Sequence, residues 1–413
     1  MQFRQPLDGA AEKLYEYAQD VPVIDTHEHI PRSEAEYNAK TIRFGNLFNP
    51  YVSNDLASAG MPFPPGEWAA SVCIDDDWDA FEPHWNAVKF GSYARPIRIA
   101  LQKFYGVDDF TRDNYLDIVQ RINDNNTPGI YKRVYKDTCG IERVVRCSGN
   151  LPDRDDPILV GNIISPAGQV TSKGSVDTMA ADVGAAGAAS LDEFMAISDA
   201  WMELQVSNGG IEFKTVAIAA EVPDRTKAEE AFQLVAGGEE LPSDLDNHLR
   251  AFVREANARK AAELGVPLAI HTGVWGDFRT ANVQHLIGFI ERNPGTRMDI
   301  FHLSIPDVRS AVQVVKNFPN AYMNLCWAHI VAPDMVVATM KEAVDMVPLN
   351  KVFAFGADYI LFIEKVYGHL LMAKENLATV LGDRVDRNLM GLDDAKQTLR
   401  AWFYENPKAF YGL

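Results

Sequence analysis

The stretch VPVIDTHEH, Val21 to His29, sets the architecture of this chain. Val21 to Ile24 is a short β-branched run that reads as a strand, and Asp25, His27 and His29 follow it at once. A strand delivering polar groups to its carboxyl end is the building unit of a (β/α)8 barrel, whose sites gather at that end of the strands. Along an extended chain the period is two, so His27 and His29 face the same side and Glu28 points elsewhere. Each imidazole then presents a nitrogen to one metal. Attachment to a barrel strand is what turns a common spacing into a metal motif.

Beyond this strand, the chain first departs from simple alternation. Breaks at Pro50, Gly60, Pro62, Pro64, Pro65 and Gly66 separate helical or loop segments, while Asp113 to Asn123 has helical spacing. A mainly helical insertion is the economical reading. Alternation then returns. Ile141 to Cys147 and Ile158 to Ile164 are apolar enough for strands covered on both sides. Leu191 to Val206 reads as a helix and Ile211 to Ala219 as a strand. A helix over Asp244 to Leu264 leads into Pro267 to Ile270, and one near Asn282 to Glu291 into Met298 to Phe301. Strands at Ala321 to Leu325 and Val352 to Phe355, separated by a helix at Met335 to Val344, bring the number to eight. The expected class is therefore α/β, a distorted (β/α)8 TIM barrel. Its regions are 1–29 (N-terminal helix and first strand), 30–139 (insertion), 140–376 (rest of the barrel) and 377–413 (a helical extension packed on it).

The 413 residues suit one barrel of about 250 residues with insertions. A formal charge of -18 disfavours nonspecific attraction to nucleic acid or an anionic membrane. The amino end lacks the basic start and apolar run of a signal peptide, and no apolar stretch is long enough to span a bilayer. Cys73, Cys139, Cys147 and Cys326 form no CxxC pair and read as reduced thiols, so a cytoplasmic location is expected. No GxGxxG turn follows an early strand and no GxSxG elbow is present.

The chemistry-bearing residues His27, His29, Lys214, His271, His302 and Asp358 all fall within or just beyond the carboxyl portions of the expected strands. A third imidazole from His271 and a carboxylate from Asp358 complete a donor set with His27 and His29, open enough for a water. Mixed imidazole and carboxylate ligation points first to Zn2+, with Mn2+, Fe2+ or Ni2+ as alternatives. Arg146 is a candidate for binding an anionic substrate, or for a structural salt bridge; Arg225 has the same two readings. Trp275 and Asp277 are placed to wall the pocket after His271. Trp327 and His329 lie near the mouth, the latter with loop capping as its alternative. His84, His248, His285 and His369 read as surface or packing residues.

The order DTHEH at Asp25 to His29, AIHTG at Ala269 to Gly273, DIFH at Asp299 to His302 and FGAD at Phe355 to Asp358 resembles the amidohydrolase superfamily. More narrowly, it resembles the amidohydrolase-related branch that neighbours uronate isomerases and metal-dependent decarboxylases. The resemblance runs from Val21 to the closing ENPKAFYGL. It implies His27 and His29 as first-strand ligands, His271 as the fifth-strand ligand and Asp358 as an eighth-strand ligand that also accepts a proton from water. It implies that His302 either binds a second metal or contacts substrate. Lys214, in EFKT, matches a lysine that in binuclear relatives is carboxylated and bridges two metals. Free lysine is cationic and a poor ligand, so that role needs the modification; otherwise its ammonium holds a substrate carboxylate or snorkels from the strand.

These features lead to an expected metal-dependent hydrolase acting through activated water on a small, carboxylate-bearing substrate, with one metal favoured over two. Isomerisation of a uronic acid and nonoxidative decarboxylation are the enzymatic alternatives. The long insertion after the first strand is the feature most suggestive of isomerisation, whereas the His271 and His302 arrangement departs from the uronate isomerase pattern. A noncatalytic binding protein is the alternative of a different class. The expected partner is a small molecule, with no nucleic acid, no membrane and homo-oligomerisation left open.

Overall fold

In the computed structural model, residues 5–62, 77–154, 156–216, 222–274 and 277–413 are described. Eight parallel strands follow one another around a barrel in sequence order. They are β1 Val23–Glu28, β2 Ile141–Ser148, β3 Leu159–Ile164, β4 Gly210–Val216, β5 Leu268–His271, β6 Met298–Phe301, β7 Ala321–Asn324 and β8 Val352–Phe353. Beyond β8 the chain continues along β1. Thr26 N–H donates to the Phe355 carbonyl at 3.0 Å, Asp358 N–H to His27 at 2.8 Å, and His29 N–H to Tyr359 at 2.8 Å. These bonds bring the two ends of the sheet together, so the first-strand histidines and Asp358 are neighbours by backbone pairing.

The strands differ from expectation mainly at their ends. β1 extends through Glu28, carrying His27 on the strand itself; β8 is two residues long, and its continuation pairs through the bonds just named and through Trp327 N–H to the Gly356 carbonyl at 2.8 Å. Residues 217–219 of the expected fourth strand lie outside the described residues. The helix expected over Asn282 to Glu291 is a 3-10 turn, Val283–Leu286, followed by an α-helix, Ile287–Arg292. The boundary drawn at residue 377 falls inside one helix, Lys365–Asp386, whose Val366, Leu370, Ala373, Leu377 and Leu381 are all buried at helical spacing.

Between β1 and β2 the described residues form helices, including Tyr51–Ser58, Trp78–Val88, Ala94–Ala100 and Tyr115–Asn125. Their packing is aromatic: Phe44 meets Phe81 edge-on at 4.8 Å and Tyr115 at 5.1 Å, and Phe48 meets Trp85 at 5.4 Å. The far end of the barrel is closed by the helix Asn406–Tyr411, whose Phe410 and Tyr411 pack with Ile24, Val145 and Phe353. Cys139, Cys147 and Cys326 are free and buried. No described helix is long and apolar enough to cross a membrane.

Candidate metal centre

The site forms where β1, β5, β6 and the segment after β8 end together. His27 and His29 present their Nε2 atoms to each other at 3.1 Å, and both face Asp358 Oδ1, at 3.5 and 3.3 Å. The other carboxylate oxygen of Asp358 lies 3.9 Å from His302 Nε2, which in turn lies 3.1 Å from His271 Nδ1. Asp358 thus joins two pairs of imidazoles, and His271 reaches the others through His302. Lys214 Nζ stands 3.0 Å from His27 Nε2 and 4.4 Å from the centre of the Phe301 ring.

The protons on these rings follow from what stands behind them. A carbonyl oxygen only accepts, so the ring nitrogen facing it carries the hydrogen. His29 Nδ1 faces the Cys147 carbonyl at 3.0 Å, His302 Nδ1 the Cys326 carbonyl at 2.9 Å, and His271 Nε2 the Val274 carbonyl at 3.3 Å. Each ring therefore turns a lone pair inward, and the His302–His271 contact sets two lone pairs against each other with no proton between them. Burial lowers the pKa of all four histidines, His271 to about 3, which keeps them neutral. Two nitrogens bound to one Zn2+ at about 2.0–2.1 Å stand roughly 3 Å apart. The donor set therefore fits a divalent transition metal, with the rings of His29, His271 and His302 each oriented by a carbonyl as metal-binding imidazoles are.

Backbone strain marks the same place. His302, Leu303 and Ser304 have φ of 70°, 55° and 50°, and Trp327 and Asp358 both have φ of 62°. None is a glycine, so each needs outside support. Gly273 supplies part of it, because a Cβ there would lie 2.5 Å from the backbone N and O of Ile305 and would hold the loop after β5 away from the His302 turn. At Asp358 the support comes from Asp25, whose Oδ1 accepts from His27 N–H at 3.2 Å and Ala357 N–H at 3.1 Å. Burial pushes the Asp25 carboxyl up to about 7. Glu28 points away from the centre and accepts from the Tyr359 amide and, at 3.4 Å, from the Tyr135 hydroxyl.

The remaining sequence candidates divide. Trp327 is buried, stacks on Tyr51 at 4.8 Å and meets His302 edge-on at 5.2 Å, so it walls the centre. Arg146 is buried at the mouth but spends donors on the carbonyls of Ile30, at 2.8 Å, and Asn150, bracing two loops. His329 is removed from the pocket: its Nε2 donates to Ala354 at 2.9 Å, its Nδ1 accepts from Asn376 at 3.2 Å, and it is fully buried. Arg225 opens a helix on the surface and pairs with Asp192 at 2.6 Å, and Asp277 pairs with the exposed Arg279 at 2.7 Å. In these three cases a nearby partner satisfies the group before the pocket can. Trp275 lies outside the described residues.

Three contributors had no distinct signal. Tyr51, from the insertion, donates its hydroxyl to the Asp358 carbonyl. Cys147 Sγ lies within 4.8 Å of the His27 and His29 donor atoms, and Cys326 Sγ within 4.8 Å of those of His302 and Asp358. For Cys147, its place in the apolar strand β2 is the local signal that could have found it.

Among known proteins, the model of the amidohydrolase family matches residues 177–413, which hold Lys214, His271, His302 and Asp358. No curated protein matches the chain significantly. Among solved structures, a uronate isomerase from Thermotoga maritima superposes with a TM-score of 0.78 at 15% identity, covering 98% of both chains. The glucuronate isomerase of Caulobacter crescentus gives 0.78 at 16% identity, covering 98% of this chain and 95% of that one. A uronate isomerase from Bacillus halodurans gives 0.72 at 15%, covering 98% of both. At these identities the likeness is one of fold.

Proposed function

The chain belongs to the amidohydrolase family, and we propose that it is a metal-dependent hydrolase of a small, carboxylate-bearing substrate. The observation that carries this reading is the gathering of His27, His29 and His302 around Asp358, with His271 joined to His302 and the rings of His29, His302 and His271 each turning a lone pair inward. His27, His29, His271 and Asp358 are the proposed ligands of one divalent metal, Zn2+ first. When bound, such a metal polarises a carbonyl oxygen and lowers the pKa of water. Asp358, between the two imidazole pairs, is placed to take a proton from the attacking water and return it to the leaving group. His302 orients the substrate's reacting oxygen, with Trp327 holding its ring. Lys214, as an ammonium beside His27, gives a substrate carboxylate its counter-charge. Carboxylation of the same lysine is the route to a second metal shared with His302.

Isomerisation of a uronic acid is the second reading, favoured by the full-length likeness to uronate isomerases, region 30–139 included. Hydrolysis is preferred because the family match is one of sequence and spans the chemistry-bearing residues of β4 to β8. Metal-replete protein incubated with amides, lactones and uronic acids in 18O-water separates the two. Hydrolysis places one solvent oxygen in the product. A product isomeric with its substrate replaces hydrolysis by isomerisation, and carbon dioxide release replaces it by decarboxylation. Protein that takes up no metal would return the chain to a binding role. A cytoplasmic location belongs to this proposal and accords with the three buried free thiols.

A further inference from the structure

Beneath the metal centre the barrel interior is polar. Asn162, Asp299 and Asn324 are fully buried, and Glu212 is 1% exposed. Among these, Asn324 at the end of β7 is a hub. Its Oδ1 accepts from the Cys326 amide at 2.9 Å and lies 3.0 Å from the Thr26 hydroxyl, whose one hydrogen it shares with the Phe355 carbonyl at 2.8 Å. Its Nδ2 donates to Asp299 Oδ2 at 3.0 Å, and that oxygen also accepts the phenolic hydrogen of Tyr411. Tyr411 comes from the helix Asn406–Tyr411 that plugs the opposite end of the barrel. Above the hub, the Cys326 carbonyl receives the Nδ1–H of His302 at 2.9 Å, and Thr26 stands between Asp25 and His27. One hydrogen-bonded path therefore leads from the third-last residue of the chain to two segments of the metal centre.

The order of donors along this path is not free. Asp299 Oδ2, taking the phenolic hydrogen of Tyr411, is an acceptor toward Asn324 as well. Asn324 must then turn its NH2 toward Asp299 and its oxygen toward Thr26 and Cys326. With the amide reversed, its NH2 would face the Cys326 N–H, donor against donor, among fully buried residues. The Cys326 peptide, whose carbonyl orients His302, would lose its anchor. From this we infer that Tyr411 is a positioning residue for the metal centre, acting through Asp299 and Asn324 on Cys326 and so on His302. It rests on the metal-centre reading above, with the metal as the ligand. His302 is not itself one of the four proposed ligands, but its Nε2 lies 3.1 Å from Nδ1 of the ligand His271 and 3.9 Å from Asp358, so its displacement disturbs both; loss of a supporting partner around metal ligands costs about 10–100-fold in metal affinity.

The test uses full-length protein loaded with Co2+, read by competition against a chelating dye, by the visible ligand-field bands and by thermal melting. Tyr411→Phe keeps the ring that packs on Phe353 and removes only the hydroxyl. Weakening of Co2+ binding by about 10–100-fold, with shifted bands, is the expected result. Asp299→Ala should do the same, while Asp299→Asn, which keeps an acceptor, should bind as wild type. Tyr404→Phe is the control, since that hydroxyl bonds Glu142 at the surface at 2.8 Å. Unchanged affinity and bands in Tyr411→Phe, even with a lower melting temperature, overturn the inference. Where Tyr411→Phe does not fold, the Asp299→Ala and Asp299→Asn pair decides: equal binding by the two overturns it. Wild-type protein that binds no Co2+ sinks the metal-centre reading itself, whereas wild-type binding with an indifferent Tyr411→Phe sinks only the present inference.

Discussion

Tyr51 donates its phenolic hydrogen to the backbone carbonyl of Asp358, across 307 residues of chain. The insertion thus touches the eighth-strand residue that joins the two imidazole pairs, at a backbone held in the left-handed region. Tyr51 also stacks on Trp327, which braces His302. The region between β1 and β2 is therefore part of the site's scaffold.

Tyr51→Phe preserves the stacking and removes the donor from a buried carbonyl. A loss of about 1–3 kcal/mol in urea unfolding is expected, together with weaker metal binding. Unchanged values of both would show that the contact supports nothing.

His29→Ala or His271→Ala should abolish stoichiometric metal on elemental analysis, because each removes an inward lone pair. The loss should exceed the roughly 10–100-fold that follows removal of a supporting partner. His329→Gln should retain the metal, since both nitrogens of that ring are used elsewhere. A metal-free His329→Gln with normal folding would reinstate His329 at the site.

One metal per chain is expected, with Lys214 unmodified. A high-resolution map of protein prepared without chelator, combined with metal analysis, is the check. Two full metals and carboxylate density on Lys214 would establish the binuclear form instead.

Burial holds the folded-state pKa of His329 down to about 4 from an ordinary 6.5. Between these values the unfolded chain binds the proton and the folded chain does not, so stability falls as pH falls from 6.5 to 4. The contribution is fully present above 6.5 and amounts to something on the order of 3 kcal/mol. Urea unfolding of metal-free wild type and His329→Gln across this range should show wild type losing more stability than the variant. Parallel curves would contradict the assignment.

Gly273→Ala adds a Cβ 2.5 Å from the Ile305 backbone at a φ of 80°. Strain and overpacking together should cost about 2–5 kcal/mol. The His302 turn lies against the same backbone, so metal affinity should fall with stability. A variant as stable as wild type would mean that the two loops separate freely.

Much of this molecule is legible in local patterns. β-branched and apolar runs of strand length locate β2, β3, β6 and β7 to within a residue or so, because strands buried on both faces need continuous apolar sequence. The spacing in DTHEH and the positions of His271, His302 and Asp358 after such runs follow from the same rule, since a parallel barrel carries the residues after its strands to one end. Helix ends and the boundary near residue 377 were less legible, because packing against distant partners overrides local signals.

Strand period and strand order are properties of neighbouring residues, so the barrel, the helical insertion and the identity of the metal-binding candidates can be read from the chain alone. Which nitrogen of each ring faces inward depends on folding, because the carbonyls of Cys147, Cys326 and Val274 set it. Folding also satisfies Arg225, Asp277 and His329 outside the site while connecting Tyr51, Cys326 and Tyr411 to it. A polar side chain takes the partner nearest in space, and for Tyr411 that partner stands 112 residues away along the chain.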